Sequence, residues 1–373
     1  MGTITRNFAN NIVTGGKVDG TDGLTGTIPA SNVNNDTLGN LTAFPATVGD
    51  FVEVTASDVP ASPSTAGQLF YNSTSGTLKG ISLGTAAWAS GGNLNTGSST
   101  RRGSGIQTAA IVFGGQPQPG QPSIGNTEQY DGSSWTEVND LGTARYDGAP
   151  STSGTQTATI YAGGSRQAPD VSAYNNTESW DGTSWTEVNN LNSSRSQLAG
   201  VGTQTAALAI GGNAPPPTTV NTESWDGTSW TEVNNLNTAD RRYVGTGLQT
   251  AALAFGGKTA PNAKTEEWNG TSWTVGGSLN SGRAQGGAAG TQTNTVYFGG
   301  DSPPTYPTAT ELYDGTSWTT SPLTLTLGRQ NIGGVGTGLS ALGAGGYANT
   351  TPASNATEEW TGAQYVAKTL TTS

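Results

Sequence analysis

The phrase TESWDGTSW occurs twice in this chain, at 177–185 and 222–230. Close variants stand at 127–135 (TEQYDGSSW), 265–273 (TEEWNGTSW), 310–318 (TELYDGTSW) and 357–365 (TEEWTGAQY). The last aromatic of each copy falls at Trp135, Trp185, Trp230, Trp273, Trp318 and Tyr365, in steps of 50, 45, 43, 45 and 47 residues. Trp88, 47 residues before Trp135 and followed by SGGNLN, belongs to the same series. Repeats of this length signal a propeller or a stacked array, because one unit cannot bury its own apolar face.

Each unit reads alike. After the Trp come TEVNNLN or an analogue, then an Arg, a Gly-rich stretch, GTQTAALAFGG or a variant, a variable linker, and the phrase again. No helical periodicity is present. Short runs bounded by Gly, Asp, Asn and Ser read as strands and turns. In the unit ending at 233 the expected strands are a (196–202), b (205–212), c (222–225) and d (230–233), with Asp226-Gly227 turning c into d. A two- or four-residue loop puts Trp225 and Trp230 on one face of the hairpin. The same argument pairs Trp180/Trp185, Trp268/Trp273, Tyr130/Trp135, Tyr313/Trp318 and Trp360/Tyr365 as packing between blades. A chain of 32% apolar residues needs such aromatic burial to make a core.

Six full units span about 101–373. Upstream, four strand candidates (51–55, 68–72, 77–82 and 86–90) suggest a degenerate first blade over 49–100. The expectation is an all-β, kelch-like β-propeller of seven blades, or six if the upstream strands stay outside the ring. The C-terminal YVAKTL is expected to be strand d of the last blade, so no blade shared between the two ends is foreseen. Residues 1–48, rich in Asn, Thr and Gly, read as an extended N-terminal arm that orders on a partner.

The chemistry is bounded by what is missing. There is no Cys and no His among the 373 residues, which removes disulfides, thiolate metal sites and the commonest general base. The net charge of -11 argues against a nucleic-acid footprint, and no apolar run is long enough to cross a membrane as a helix. No dinucleotide fingerprint or P-loop is present. Glu128, Glu178, Glu223, Glu266, Glu311 and Glu358 recur at one blade position, and Asp131, Asp181, Asp226 and Asp314 recur in the turn. A catalytic carboxylate pair would be unique, not repeated round a ring; turn formation accounts for the Asp. The repeated Arg (Arg145, Arg195, Arg241, Arg283, Arg329, and Arg101 or Arg102) and Glu are expected to make a backbone bond or an ion pair within each blade. Acidic turns offer oxygen ligands for calcium, without an EF-hand loop. No catalytic, cofactor or metal residue is therefore named, and the chain is expected to be non-enzymatic. The Pro-rich linkers between strands b and c differ from blade to blade, whereas the a–b and c–d corners on the opposite face are nearly uniform, so binding is expected on the varied face.

The double glycine, aromatic-Asp-Gly turn and following Trp resemble kelch-type propellers over about 101–373. Three further stretches, ITRNFANNI at 4–12, GQLFYNSTSGTLK at 67–79 and AAWASGGNLNT at 86–96, ahead of the GTQTA repeats, resemble marine bacteriophage virion structural proteins of the tail-fibre or appendage type. That resemblance implies a virion location on tail or capsid, attachment through the N-terminal arm and a displayed propeller. The implied partners are other virion proteins, copies of itself and a host-surface glycan, with no nucleic acid and no membrane insertion. Alternatives are a capsid decoration or head-fibre protein, and a carbohydrate-binding lectin or glycan-degrading propeller. The copper oxidases among kelch-like folds need His ligands and a Tyr-Cys crosslink, which this chain cannot supply.

Overall fold

A computed structural model describes residues 53–55, 57–61 and 68–370, apart from 119, 167–171, 215–217, 261 and 349–352. The expected arm at 1–48 lies outside them. The chain divides into two compact units, one of them spanning 87–362 and the other taking in the described residues on either side of it.

The 87–362 unit contains six four-stranded antiparallel sheets. Their innermost strands are Arg102–Ile106, Ala149–Pro150, Ala199–Thr203, Tyr243–Leu248, Gly287–Thr291 and Gly333–Thr337. Each packs on the next and the last packs on the first, so six blades close the ring of this unit by themselves. The all-β propeller expected from the repeat is what forms. The expected seven four-stranded sheets are also present, but the seventh belongs to the other unit.

That seventh sheet holds Glu53–Thr55, Leu69–Asn72, Thr77–Leu83 and Tyr365–Thr369, the first two strands running parallel. Phe70 and Ile81 are buried in it, and Lys79 pairs with Asp58 at 2.6 Å.

Two expectations are corrected here. Residues 365–369 do not complete the last blade; they pair with Lys79–Leu83, so Tyr365 faces Leu83. The outer strand of the last blade is instead Ala87–Ser90, with Trp88 opposite Trp360. The first-blade reading of 49–100 therefore splits between two sheets, and the ring is fastened by a blade built from both ends of its unit. Both candidate strands carry an aromatic at the right offset, and strand order along the chain does not say which one meets Trp360.

Within a blade the strands fall almost where the repeat puts them: Ala199–Thr203, Ala206–Ile210, Thr222–Trp225 and Trp230–Val233. The four-residue c–d loop sets Trp225 opposite Trp230, with ring centroids 5.3 Å apart. Equivalent pairs lie 4.9 to 5.4 Å apart at Tyr130/Trp135, Trp180/Trp185, Trp268/Trp273, Tyr313/Trp318 and Trp88/Trp360. Ten of these twelve rings are buried; Trp88 and Trp185 are half-buried. They pack against small residues of the inner strands, as Trp225 and Trp230 do with Ala149 of strand a and Ala162 and Ala207 of strand b.

A hydrogen-bonded belt runs through the same rings. The indole of each d-strand Trp donates to the threonine hydroxyl that opens strand c of the preceding blade. These bonds are Trp185 to Thr127, Trp230 to Thr177, Trp318 to Thr265 and Trp135 to Thr357, each 3.0 Å, and Trp273 to Thr222 at 3.2 Å. Trp88 closes the belt on Thr310 at 3.0 Å. A buried N–H needs an acceptor, so the pairing fixes each blade's angle against its neighbour. On the uniform face a second clamp is made by Gln107, Gln156, Gln204, Gln249 and Gln292. Each donates its amide to the carbonyl of the c-strand aromatic one blade back, at 2.5 to 2.8 Å.

Candidate functional site

The repeated charges come first, because their fate decides what remains for function. Arg101, Arg195 and Arg329 reach Glu128, Glu223 and Glu358 at 2.9, 2.9 and 2.8 Å. Arg145 and Arg283 pair likewise with Glu178 and Glu311. All five guanidinium groups are fully buried. The second carboxylate oxygen accepts a backbone N–H from the d–a linker, such as Asn192 to Glu223 and Asn237 to Glu266, both 2.8 Å. The linker Asn also donates to the carbonyl of the d-strand Trp, and its Leu neighbour (Leu191, Leu236, Leu279) is buried beneath it. The NNLN motif is thus a strap tying each linker to the next blade.

One blade departs from this pattern. Arg241 does not enter the core; the buried position belongs to Asp240, which pairs with Lys264 at 2.6 Å, and Tyr243 packs under Lys264. In the first blade the ion pair is made by Arg101, while Arg102 turns to Asp147. The DG turns are likewise structural. Asp226 accepts the backbone N–H groups of Thr228 and Ser229 at 2.8 and 2.7 Å. Such bonds hold the turn carboxylates low, with Asp181 at about 2. The Gly-Gly pair ending strand b answers to crowding: Gly212 has φ 102°, and a Cβ there would meet Ser196 O at 2.7 Å.

The axis is built differently. Thr100, Asp147, Gln197, Arg242, Gln285 and Asn331 occupy one equivalent position, just ahead of each innermost strand, and all six have φ between 55° and 65°. Left-handed backbone is uncommon outside glycine, and six occurrences in register form a designed layer. Blade-to-blade backbone bonds explain it. Arg242 N donates to Gln197 O and Gln197 N to Asp147 O, both 2.7 Å; Thr100 N donates to Asn331 O at 3.0 Å and Asn331 N to Gln285 O at 2.6 Å. The twist turns the N–H of these four residues along the ring.

Next to this layer lies a cavity of about 50 Å3, lined among others by Arg102, Thr152, Arg242 and Gln285. Arg102 donates to Asp147 at 3.0 Å. Arg242 stands 4.0 Å from Asp301, whose carboxylate is taken by Lys258 at 2.6 Å. Several atoms here are buried without a hydrogen-bond partner: Gln197 Oε1, Gln285 Oε1, Asn331 Oδ1, Thr152 Oγ1 and Arg242 Nε. The residues following the double glycines, among them Gln116, Ser165, Asn213, Lys258, Asp301 and Tyr347, stand beside the layer, and Tyr347 stacks edge-on with Tyr306. The mouth therefore opens on the face of the varied b–c linkers; parts of those linkers (119, 167–171, 215–217 and 261) lie outside the described residues.

None of the axial residues stood out in the sequence. Their signal is positional: four of the six (Thr100, Gln197, Arg242 and Gln285) stand seven residues before the clamp glutamine. That residue varies while its surroundings repeat. Among the described residues no cluster of three or more acidic side chains is placed to hold a metal.

No family model matches this chain, and no curated protein matches it. Among solved structures it is similar to that of YjhT, at 12% identity with a TM-score of 0.59, over 72% of this chain and 96% of that one. A likeness at that identity speaks for architecture alone: the chain is a β-propeller.

Proposed function

We propose that this protein is a non-enzymatic structural component of a bacteriophage particle. In this reading it is a tail-fibre or appendage subunit, attached through residues 1–48 and displaying the propeller toward a host surface or a neighbouring virion protein. The observation that carries the binding part is the contrast between the two faces. Corners a–b and c–d repeat in sequence and are consumed by the glutamine clamps and aspartate turns. The opposite face surrounds the axis with five kinds of side chain in six equivalent positions and with unrelated linkers. A rigid scaffold with variation confined to one face is how binding surfaces are arranged. The non-enzymatic part is supported by the carboxylates: every repeated Glu is tied to backbone N–H groups, and five of the six to a buried Arg as well, leaving none poised for proton transfer. The virion location rests on the resemblance of 4–12, 67–79 and 86–96 to phage structural proteins.

The test is mass spectrometry of purified particles, with antibody labelling of the propeller. The chain is expected in particles at fixed stoichiometry and labelled on the tail. Labelling on the head would reassign it to capsid decoration. A chain found only free in lysate, with particles complete without it, would sink the proposal and leave a soluble lectin.

A further inference from the structure

The axial cavity carries a second, independent reading that holds whether or not the protein sits on a particle. Two charged residues line it, Arg102 and Arg242, and their acidic neighbours are Asp147 and Asp301. Arg102 is matched by Asp147, and Lys258 by Asp301, at 3.0 and 2.6 Å. Arg242 comes no closer than 4.0 Å to Asp301, at the same oxygen that Lys258 already holds. Three cations thus face two carboxylates, and one positive charge is unmatched. Its Nε–H is a buried donor with no acceptor. Gln285, only 6% exposed, lines the same cavity with an unpartnered amide oxygen, and Thr152 adds an unpartnered hydroxyl. An amide group can turn to present its NH2 in place of its oxygen, and a hydroxyl can donate or accept. The guanidinium donor and the net charge cannot be reversed, so they set the sign of the guest.

We infer that this cavity binds the carboxylate of a small organic acid, with Arg242 as the principal donor and Gln285 and Thr152 completing its hydrogen bonds. A planar two-oxygen anion matches a guanidinium fork, and a single negative charge neutralises the single excess cation. A doubly charged phosphate carries one more negative charge than the single unmatched cation can neutralise. A neutral guest would leave the Arg242 charge as it stands.

The experiment titrates the full-length protein with 13C-acetate by ligand-observed NMR line broadening. Acetamide serves as the uncharged isostere and inorganic phosphate as the competing oxyanion. Acetate should bind saturably and weaken with added sodium chloride; acetamide should bind about tenfold more weakly or worse. Arg242→Gln installs the residue that already holds the equivalent left-handed position at 197 and 285, so the ring should fold unchanged by circular dichroism. Acetate affinity should fall about tenfold or more. Gln285→Asn, copying Asn331, provides a second folded variant and should lose about threefold. Non-saturable acetate, equal binding of acetamide, tighter binding of phosphate, or an Arg242→Gln variant with unchanged affinity would each overturn the assignment.

Discussion

The belt of tryptophans and the layer of axial residues are both six-membered rings on one scaffold, yet they treat sequence in opposite ways. In the belt the same two residues recur at every step, Trp donating to Thr, and the last link joins Trp88 to Thr310. On the axis only the backbone recurs: six residues share a left-handed φ while their side chains run Thr, Asp, Gln, Arg, Gln and Asn. Where a ring is held by side chains, identity is constrained. Where it is held by backbone bonds, side chains are free to differ, and chemistry accumulates there.

The sharpest way to break the comparison is to strike the belt and its buried ion pairs. Trp225→Ala removes a ring that is 2% exposed and should cost about 3–5 kcal/mol in denaturant unfolding. Arg195→Met should cost a similar amount, about 3–5 kcal/mol, because Glu223 is left buried and unpaired. Adding Glu223→Gln to Arg195→Met should recover part of that loss in a double-mutant cycle. Either single change costing less than about 1 kcal/mol would mean that the site relaxes and that repetition there is not held by packing.

A smaller effect should come from high pH. Burial pushes Tyr130 up to about 12, helped by its hydrogen bond to Glu359, and burial likewise raises Tyr297 to about 12. In the unfolded chain tyrosine titrates near ~10. The folded state therefore binds more protons above that pH. The stability these groups contribute is complete below about pH 10 and is lost as pH rises toward 12. Denaturant midpoints at rising pH should drop over that window, and Tyr130→Phe should flatten part of the drop. A midpoint independent of pH there would contradict the burial of these hydroxyls.

The smallest effect is expected on the axis. Gln197→Asn keeps an amide and copies the residue of a sister blade, so stability should change by less than about 0.5 kcal/mol. A loss comparable to Trp225→Ala would show that the axial side chains are as constrained as the belt, and the contrast would fail.

Much of the belt was legible in the sequence, because packing demands repetition and repetition can be counted. The spacing of Trp225 and Trp230, the Asp226 turn and the strands on either side follow from alternation along a hairpin and emerge as read. The Arg–Glu pair was open between two bonds and makes both, since a buried guanidinium has more donors than one carboxylate can satisfy. Arg241 misled because the register of ADRRY is fixed by what fits the core, where Lys264 comes from another strand to meet Asp240.

What the sequence determined by itself was local and periodic: strand, turn, aromatic pair and the six copies of the phrase. Tertiary structure alone decided which strand closes the ring, because Ala87–Ser90 and Tyr365–Thr369 are alike as strands and differ only in the neighbours they meet. It also decided that Thr, Asp, Gln, Arg, Gln and Asn share equivalent places on the axis. Where these left-handed residues bond by their backbone to the next blade, the bond joins positions 45 to 50 residues apart, or the two ends of the ring at Thr100 and Asn331, where no local pattern can announce it.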